Sequence, residues 1–140
     1  MSGNPHRLFV YGSLLATLRL PAHGLLHPDA SFVATGWVTG RLYDTGAYPA
    51  LVTAGGADER VHGELYALDP ARAGTLLARL DRFEGHLPDD PQNSLFRRVR
   101  TEVMLEESGK ALAWVYRYTR SVEELPVISS GDYGAYRRGG

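Results

Sequence analysis

The stretch from Asp69 to Gly85 constrains the fold most. Asp69 is a good N-cap residue and Pro70 suits the first helical position. Ala73, Leu76, Leu77, Leu80 and Phe83 follow at helical spacing, and Gly85 stands where a left-handed terminator belongs. This is the clearest helix in the chain, and short strands lie on both sides of it. Leu8-Phe9-Val10 is apolar throughout, which predicts a central strand, Leu8 to Tyr11, buried on both faces and stopped by Gly12 and Ser13. Leu14 to Leu20 begins a helix ended by Pro21. Phe32 to Leu42 reads as a strand pair or a bent strand, with Gly36 and Gly40 as breakers. Ala50 to Thr53 and Arg60 to Leu68 flank Gly55-Gly56-Ala57-Asp58, a hairpin signal. Phe96 to Glu106 and Lys110 to Tyr118 flank Glu107-Ser108-Gly109, a second one.

Strands, one good helix and strands again give no regular β-α-β alternation, so a doubly wound sheet is excluded. The expected class is α+β: a small mixed, barrel-like β-sheet with flanking helices. With 140 residues the chain has the length of one domain, residues 1–140. Lys+Arg is 15 against Asp+Glu 16, so the basic excess of a nucleic-acid binder is missing. Cys is 0, which excludes disulfides, thiolate metal sites and a cysteine nucleophile. No run approaches the roughly 18 apolar residues of a membrane span. The polar start, Met1 to Arg7, leads straight into a strand with no signal-peptide pattern, so the expected location is the cytoplasm.

Glu84 is the most informative side chain. At 100° per residue it lies about 20° round the helix from Leu77 and about 40° from Leu80. It therefore sits within the apolar stripe, immediately before Gly85 and at the negative end of the helix dipole. Desolvation and the dipole both disfavour the anion and push its pKa up, as general acid–base chemistry near neutral pH requires. The other reading of the position is a frayed helix end with Glu84 turned to solvent. Asp81, at the edge of the stripe, reads as a surface or locally hydrogen-bonded group. Tyr11-Gly12-Ser13-Leu14 is a strand-to-turn junction whose successive backbone N–H groups suit a carboxylate or a developing oxyanion. Ser13 lacks the flanking glycines of a hydrolase nucleophile elbow. His23 and His27, and His62 with Glu64, lack the third ligand of a metal site. Arg97-Arg98-Val99-Arg100 would divide its arginines between two strand faces.

Taken in order, these pieces resemble the γ-glutamylcyclotransferase-like superfamily, in its γ-glutamylamine cyclotransferase and avirulence-induced-gene-like branch. Phe9-Val10-Tyr11-Gly12-Ser13-Leu14 looks like its substrate loop, Gly40 to Tyr43 and Tyr48-Pro49-Ala50 like its strand and Tyr-Pro segment, and Val61-His62-Gly63-Glu64-Leu65-Tyr66 like its next strand. Leu80-Asp81-Arg82-Phe83-Glu84-Gly85 resembles the helix end that carries the family's catalytic glutamate. Ala113-Trp114-Val115-Tyr116 and Ile128-Ser129-Ser130-Gly131-Asp132-Tyr133 resemble its late strand and C-terminal motif. The resemblance implies a cofactor-free enzyme that releases 5-oxoproline from a small γ-glutamyl compound. Glu84 would be catalytic, and Tyr11, Gly12, Ser13 and Leu14 would bind substrate; no metal, nucleic acid or membrane is implied. Phe96 departs from the family's Tyr-x-Arg, which removes any hydroxyl contact from that position. Gly85 to Ser94, with Pro88 and Pro91, would form a mobile lid or rim. The alternative is a non-catalytic small-molecule binding domain on the same fold; a carboxylate inside an apolar stripe favours the enzyme.

Overall fold

The computed structural model describes residues 6–12, 26, 29–52, 59–87, 89–107 and 109–139. Seven strands are described: β1 (Arg7–Val10), β2 (Ala30–Thr39), β3 (Arg41–Asp44), β4 (Pro49–Val52), β5 (Arg60–Leu68), β6 (Phe96–Leu105) and β7 (Lys110–Tyr118). Helix α1 (Ala73–Glu84) separates β5 from β6, and α2 (Tyr133–Gly139) follows β7. Five strands close a barrel in the order β1-β5-β2-β6-β7, and β3-β4 forms a separate two-stranded sheet. The barrel closes through a parallel contact of β1 with β7 at Leu8 and Trp114, while the other pairings are antiparallel. It is the mixed, barrel-like sheet with helices that the sequence predicts.

Strand β1 pairs on both sides, which explains why its residues are apolar without alternation. Phe9 and Tyr11 pack in one buried cluster with Val61, Leu65, Val103, Ala113 and Val115, and the period-2 alternation places that cluster inside the barrel. Leu8 and Val10 point the other way, into a second cluster with Leu76, Leu77 and Leu80 of α1. The helix thus seats its apolar stripe on the outer face of the barrel wall, against Tyr66, Phe96 and Tyr116. Phe83, expected in the same stripe, is 49 % exposed and lies outside the buried cluster.

Several expectations are corrected. The helix starts at Ala73 rather than at Asp69-Pro70; the Asp69 carboxylate instead accepts the Ala71 N–H at 3.0 Å in a preceding turn. Strands β4 and β5 do not form a hairpin: β4 pairs with β3, and β5 pairs with β1 and β2. The true hairpin turn is Thr45–Tyr48, where Gly46 has φ 99° and Thr45 N–H reaches the Tyr48 carbonyl at 3.0 Å. The second predicted hairpin, β6 with β7, is present, with Gly109 at φ 92°. Gly40 breaks the chain between β2 and β3, whereas β2 runs through Gly36. The proposed helix from Leu14 to Leu20 lies outside the described residues.

Gly63 marks the tightest strand contact. A Cβ there would stand 2.2 Å from the Val10 carbonyl oxygen and 2.7 Å from the Phe9 ring. Gly63→Ala must push β1 off β5, and overpacking of this kind costs about 1–3 kcal/mol. Chemical denaturation is expected to show that loss with an unchanged dependence on denaturant.

Candidate active site

Helix α1 ends in a Schellman motif. Gly85, at φ 73°, donates its N–H to the Arg82 carbonyl at 3.3 Å, and His86 donates to the Asp81 carbonyl at 2.8 Å. The closure fixes the direction of the last helical residue, Glu84, toward the barrel. Glu84 lines a cavity of about 120 Å³ together with Phe9, Tyr11, Gly12, Tyr48 and Tyr116. Burial pushes the Glu84 carboxyl up to about 7, and no ion pair or hydrogen bond among the described residues offsets it. Of the two readings of this position, the solvent-facing one does not hold.

Of the predicted substrate loop, Tyr11 and Gly12 share this cavity with Glu84 although some seventy residues separate them in the chain. Ser13 and Leu14 lie outside the described residues. Gly12 permits a close approach: a Cβ would sit 2.8 Å from the Pro49 ring. The aromatic wall consists of Phe96 and Tyr48, with ring centroids 5.7 Å apart, and Tyr118 packs edge-on against Phe96 at 5.4 Å. Phe83 and Leu95 complete the rim. Behind it, the described residues of the segment expected as a mobile lid or rim are tied to one another: buried Ser94 accepts the Leu87 N–H at 2.8 Å, and Leu95 N–H bonds the Gly85 carbonyl at 2.9 Å.

Burial pushes the phenols of Tyr11 and Tyr48 up; the Glu84 charge adds to it at Tyr11, and Tyr118 and then Glu84 add to it at Tyr48. Burial and the hydrogen bond to Asp81 do the same for Tyr116. All three therefore stay protonated at neutral pH. Tyr11 donates its hydroxyl proton to the Tyr116 carbonyl at 2.5 Å.

Asp81 is not the surface group its position suggested. It is buried, and Arg98 of β6 donates to both of its oxygens, from Nε at 2.7 Å and from Nη2 at 3.1 Å. Tyr116 donates its hydroxyl to the same carboxylate at 2.6 Å. The Arg98 guanidinium lies 4.4 Å over the Trp114 ring, and the Arg98 backbone N–H reaches His86 Nδ1 at 3.2 Å. Sequence reasoning missed this centre because its partners come from β6 and β7. One signal was available: the arginines of β6 do divide by alternation, and only the face of Arg98 and Arg100 meets Trp114. Among the described residues, no group of three or more His, Cys, Asp or Glu side chains comes together that could hold a metal ion. His23 and His27 lie outside those residues.

The model of the family described as gamma-glutamyl cyclotransferase, AIG2-like, matches residues 8–135. The gamma-glutamylcyclotransferase family protein YtfP of Escherichia coli K12 is 31% identical over 129 residues, covering 91% of this chain and 95% of that protein. The solution structure of ytfP from Escherichia coli superimposes with a TM-score of 0.57 at 30% identity, covering 91% of this chain and 95% of that one. An AIG2-like protein from Mus musculus shares the fold with a TM-score of 0.68 at 24% identity, covering 89% of this chain and 86% of that one.

The Asp81–Arg98 pair also has a stability consequence. Removing one partner of a buried ion pair leaves the other charge uncompensated, at a cost of about 3–5 kcal/mol. Arg98→Ala is expected to lose stability on that scale, and Asp81→Asn less, because the amide still accepts from Tyr116. Chemical denaturation of both variants and of the double variant checks this: the double variant should lose less than the sum of the two single losses.

Proposed function

The chain belongs to the gamma-glutamyl cyclotransferase, AIG2-like family, and from that premise we propose that it is a single-domain, cofactor-independent cyclotransferase of the cytoplasm. It releases 5-oxoproline from a small γ-glutamyl amine, peptide or related compound, with Glu84 as general base and acid. The observation that carries this reading is a carboxyl group raised to about 7 by burial, on the wall of the same cavity as Tyr11 and Gly12. A binding module has no use for so costly a group in its pocket.

The reaction is the attack of the substrate's own α-amine on its γ-carbonyl. Nucleophile and electrophile are tethered, so fixing one rotamer supplies much of the rate. Backbone N–H groups of Gly12, Ser13 and Leu14 hold the γ-glutamyl part, and the aromatic wall closes over it. The amine arrives as an ammonium and must lose a proton, which the Glu84 carboxylate takes. The new C–N bond forms a tetrahedral centre, and the old C–N bond breaks as its nitrogen is protonated. Two protons leave the α-nitrogen and two arrive on the departing nitrogen. Glu84 relays them and ends in its starting state, and a base of pKa near 7 can do both halves of that work.

Glu84→Gln keeps the shape and removes the proton relay. Its kcat for 5-oxoproline release from a panel of γ-glutamyl compounds should fall by roughly two to four decades, with KM little changed. Wild-type kcat/KM should fall tenfold per pH unit below about 7, where the base is protonated. Full turnover by the variant would overturn the assignment, and a wild type inert on every compound would favour the binding domain.

The same group sets a stability difference. The carboxyl has its ordinary value of 4.5 when unfolded and is pushed up to about 7 when folded, so the native state binds the extra proton in between. The resulting stability is fully present below pH 4.5 and is lost as pH rises through 7. Glu84→Gln should therefore match the wild type at pH 4 and exceed it at pH 8 by on the order of 1–3 kcal/mol, read as a higher melting temperature.

A further inference from the structure

Asp81 and Glu84 stand three residues apart on α1, so their Cβ atoms are about 5–6 Å apart on neighbouring parts of one face. Like charges on neighbouring positions of one helix face disfavour each other's ionised form where water is scarce. Only one of them has a counter-ion among the described residues. Arg98 spans both oxygens of Asp81 and holds them away from the cavity, while Glu84 lines it. Tyr116 stands between the two, lining the cavity beside Glu84 while its hydroxyl is bound to Asp81.

From this geometry we propose that Asp81 and Arg98 are positioning residues for Glu84: a neutral, buried ion pair that braces the end of α1 against β6 and β7 and keeps Asp81's charge off the base. The inference rests on the reading of Glu84 as that base. The pair joins the elements that build the pocket. Asp81 belongs to α1, Arg98 to β6 and Tyr116 to β7, and the Tyr116 carbonyl takes the Tyr11 hydroxyl at the end of β1. The Arg98 backbone also holds His86, whose N–H completes the Schellman closure just after Glu84.

Around Glu84 the titratable and charged groups among the described residues are few. Tyr11 comes from the end of β1, Tyr48 from the β3–β4 turn and Tyr116 from β7, all protonated phenols at neutral pH. On its own helix stands Asp81, cancelled by Arg98 of β6, and the exposed Arg82. His86 follows the helix and is occupied by the Arg98 N–H. Neutralising one member of the pair unmasks the other, and the two removals act on Glu84 with opposite sign.

That sign separates a charge-setting brace from a merely structural contact. In Arg98→Met the bare Asp81 carboxylate repels the Glu84 anion, so the acidic limb of kcat/KM should move up by on the order of one pH unit. In Asp81→Asn the bare guanidinium attracts it, and the limb should move down by a similar amount. The double variant Asp81→Asn with Arg98→Met should return the limb to the wild-type position, whatever its kcat. Carbon-13 resonances of the Glu84 carboxyl, assigned by their loss in Glu84→Gln, report the same midpoints without turnover. If both single variants keep the wild-type limb and resonance midpoint, the inference is overturned even where kcat falls. If Arg98→Met does not fold, Asp81→Asn decides alone: a downward shift supports the brace and an unmoved midpoint overturns it. Retained turnover in Glu84→Gln would instead remove the catalytic reading, and the carboxyl midpoints would then judge the brace by themselves.

Discussion

The candidate site depends on a carboxylic acid that its own helix keeps largely out of water. An exposed Glu at a helix end would swing outward and hydrate. Here Leu76, Leu77 and Leu80 hold α1 down on the barrel wall, and Gly85 turns the chain sharply enough to tie His86 back to Asp81. Glu84 is the last residue before that turn, and its direction is set by the packing of the turns before it. The desolvation that lifts its pKa follows from where the apolar stripe is seated rather than from any dedicated partner.

The barrel supplies the other half of the constraint. Its interior cluster and the helix cluster share β1, whose residues face them alternately. Phe9 and Tyr11 reach the cavity from the barrel side and Glu84 from the helix side. The two halves meet in the cavity because β1 ends at Val10, so that Tyr11 and Gly12 just after it line the same wall as Glu84 at the end of α1. Gly63 lets β1 lie close enough to β5 for the meeting to occur. Fold and site are one arrangement, since the contacts that bury the core also aim the acid.

Much of this was legible in the chain before any coordinates. Glu84 in the stripe, Gly85 as terminator and an unalternating β1 are local signals, and each follows from the pitch of a helix or the pleat of a strand. The pairing of β4 was not legible, because the glycine-rich stretch after it looks like a hairpin while its partner lies earlier, across Thr45–Tyr48. Asp81 was misread for a related reason. Its position on the helical wheel places it at the edge of the stripe, and only the arrival of Arg98 and Tyr116 from distant strands makes that edge an interior. Local period reads burial against a helix's own neighbours; it cannot read a counter-ion brought by the topology.

The protonation states around the cavity complete the argument. The protons of Tyr11 and Tyr116 are committed to a backbone carbonyl and to Asp81, and burial keeps both phenols neutral. Tyr48 is likewise held protonated by desolvation. Phe96, where a phenol would otherwise be expected from the resemblance, adds apolar surface and no exchangeable proton. Among the described residues that line the cavity, one group therefore changes charge near neutral pH, and that group is Glu84. A pocket with one such group among protonated phenols has one side chain able to take up and return a proton near neutral pH.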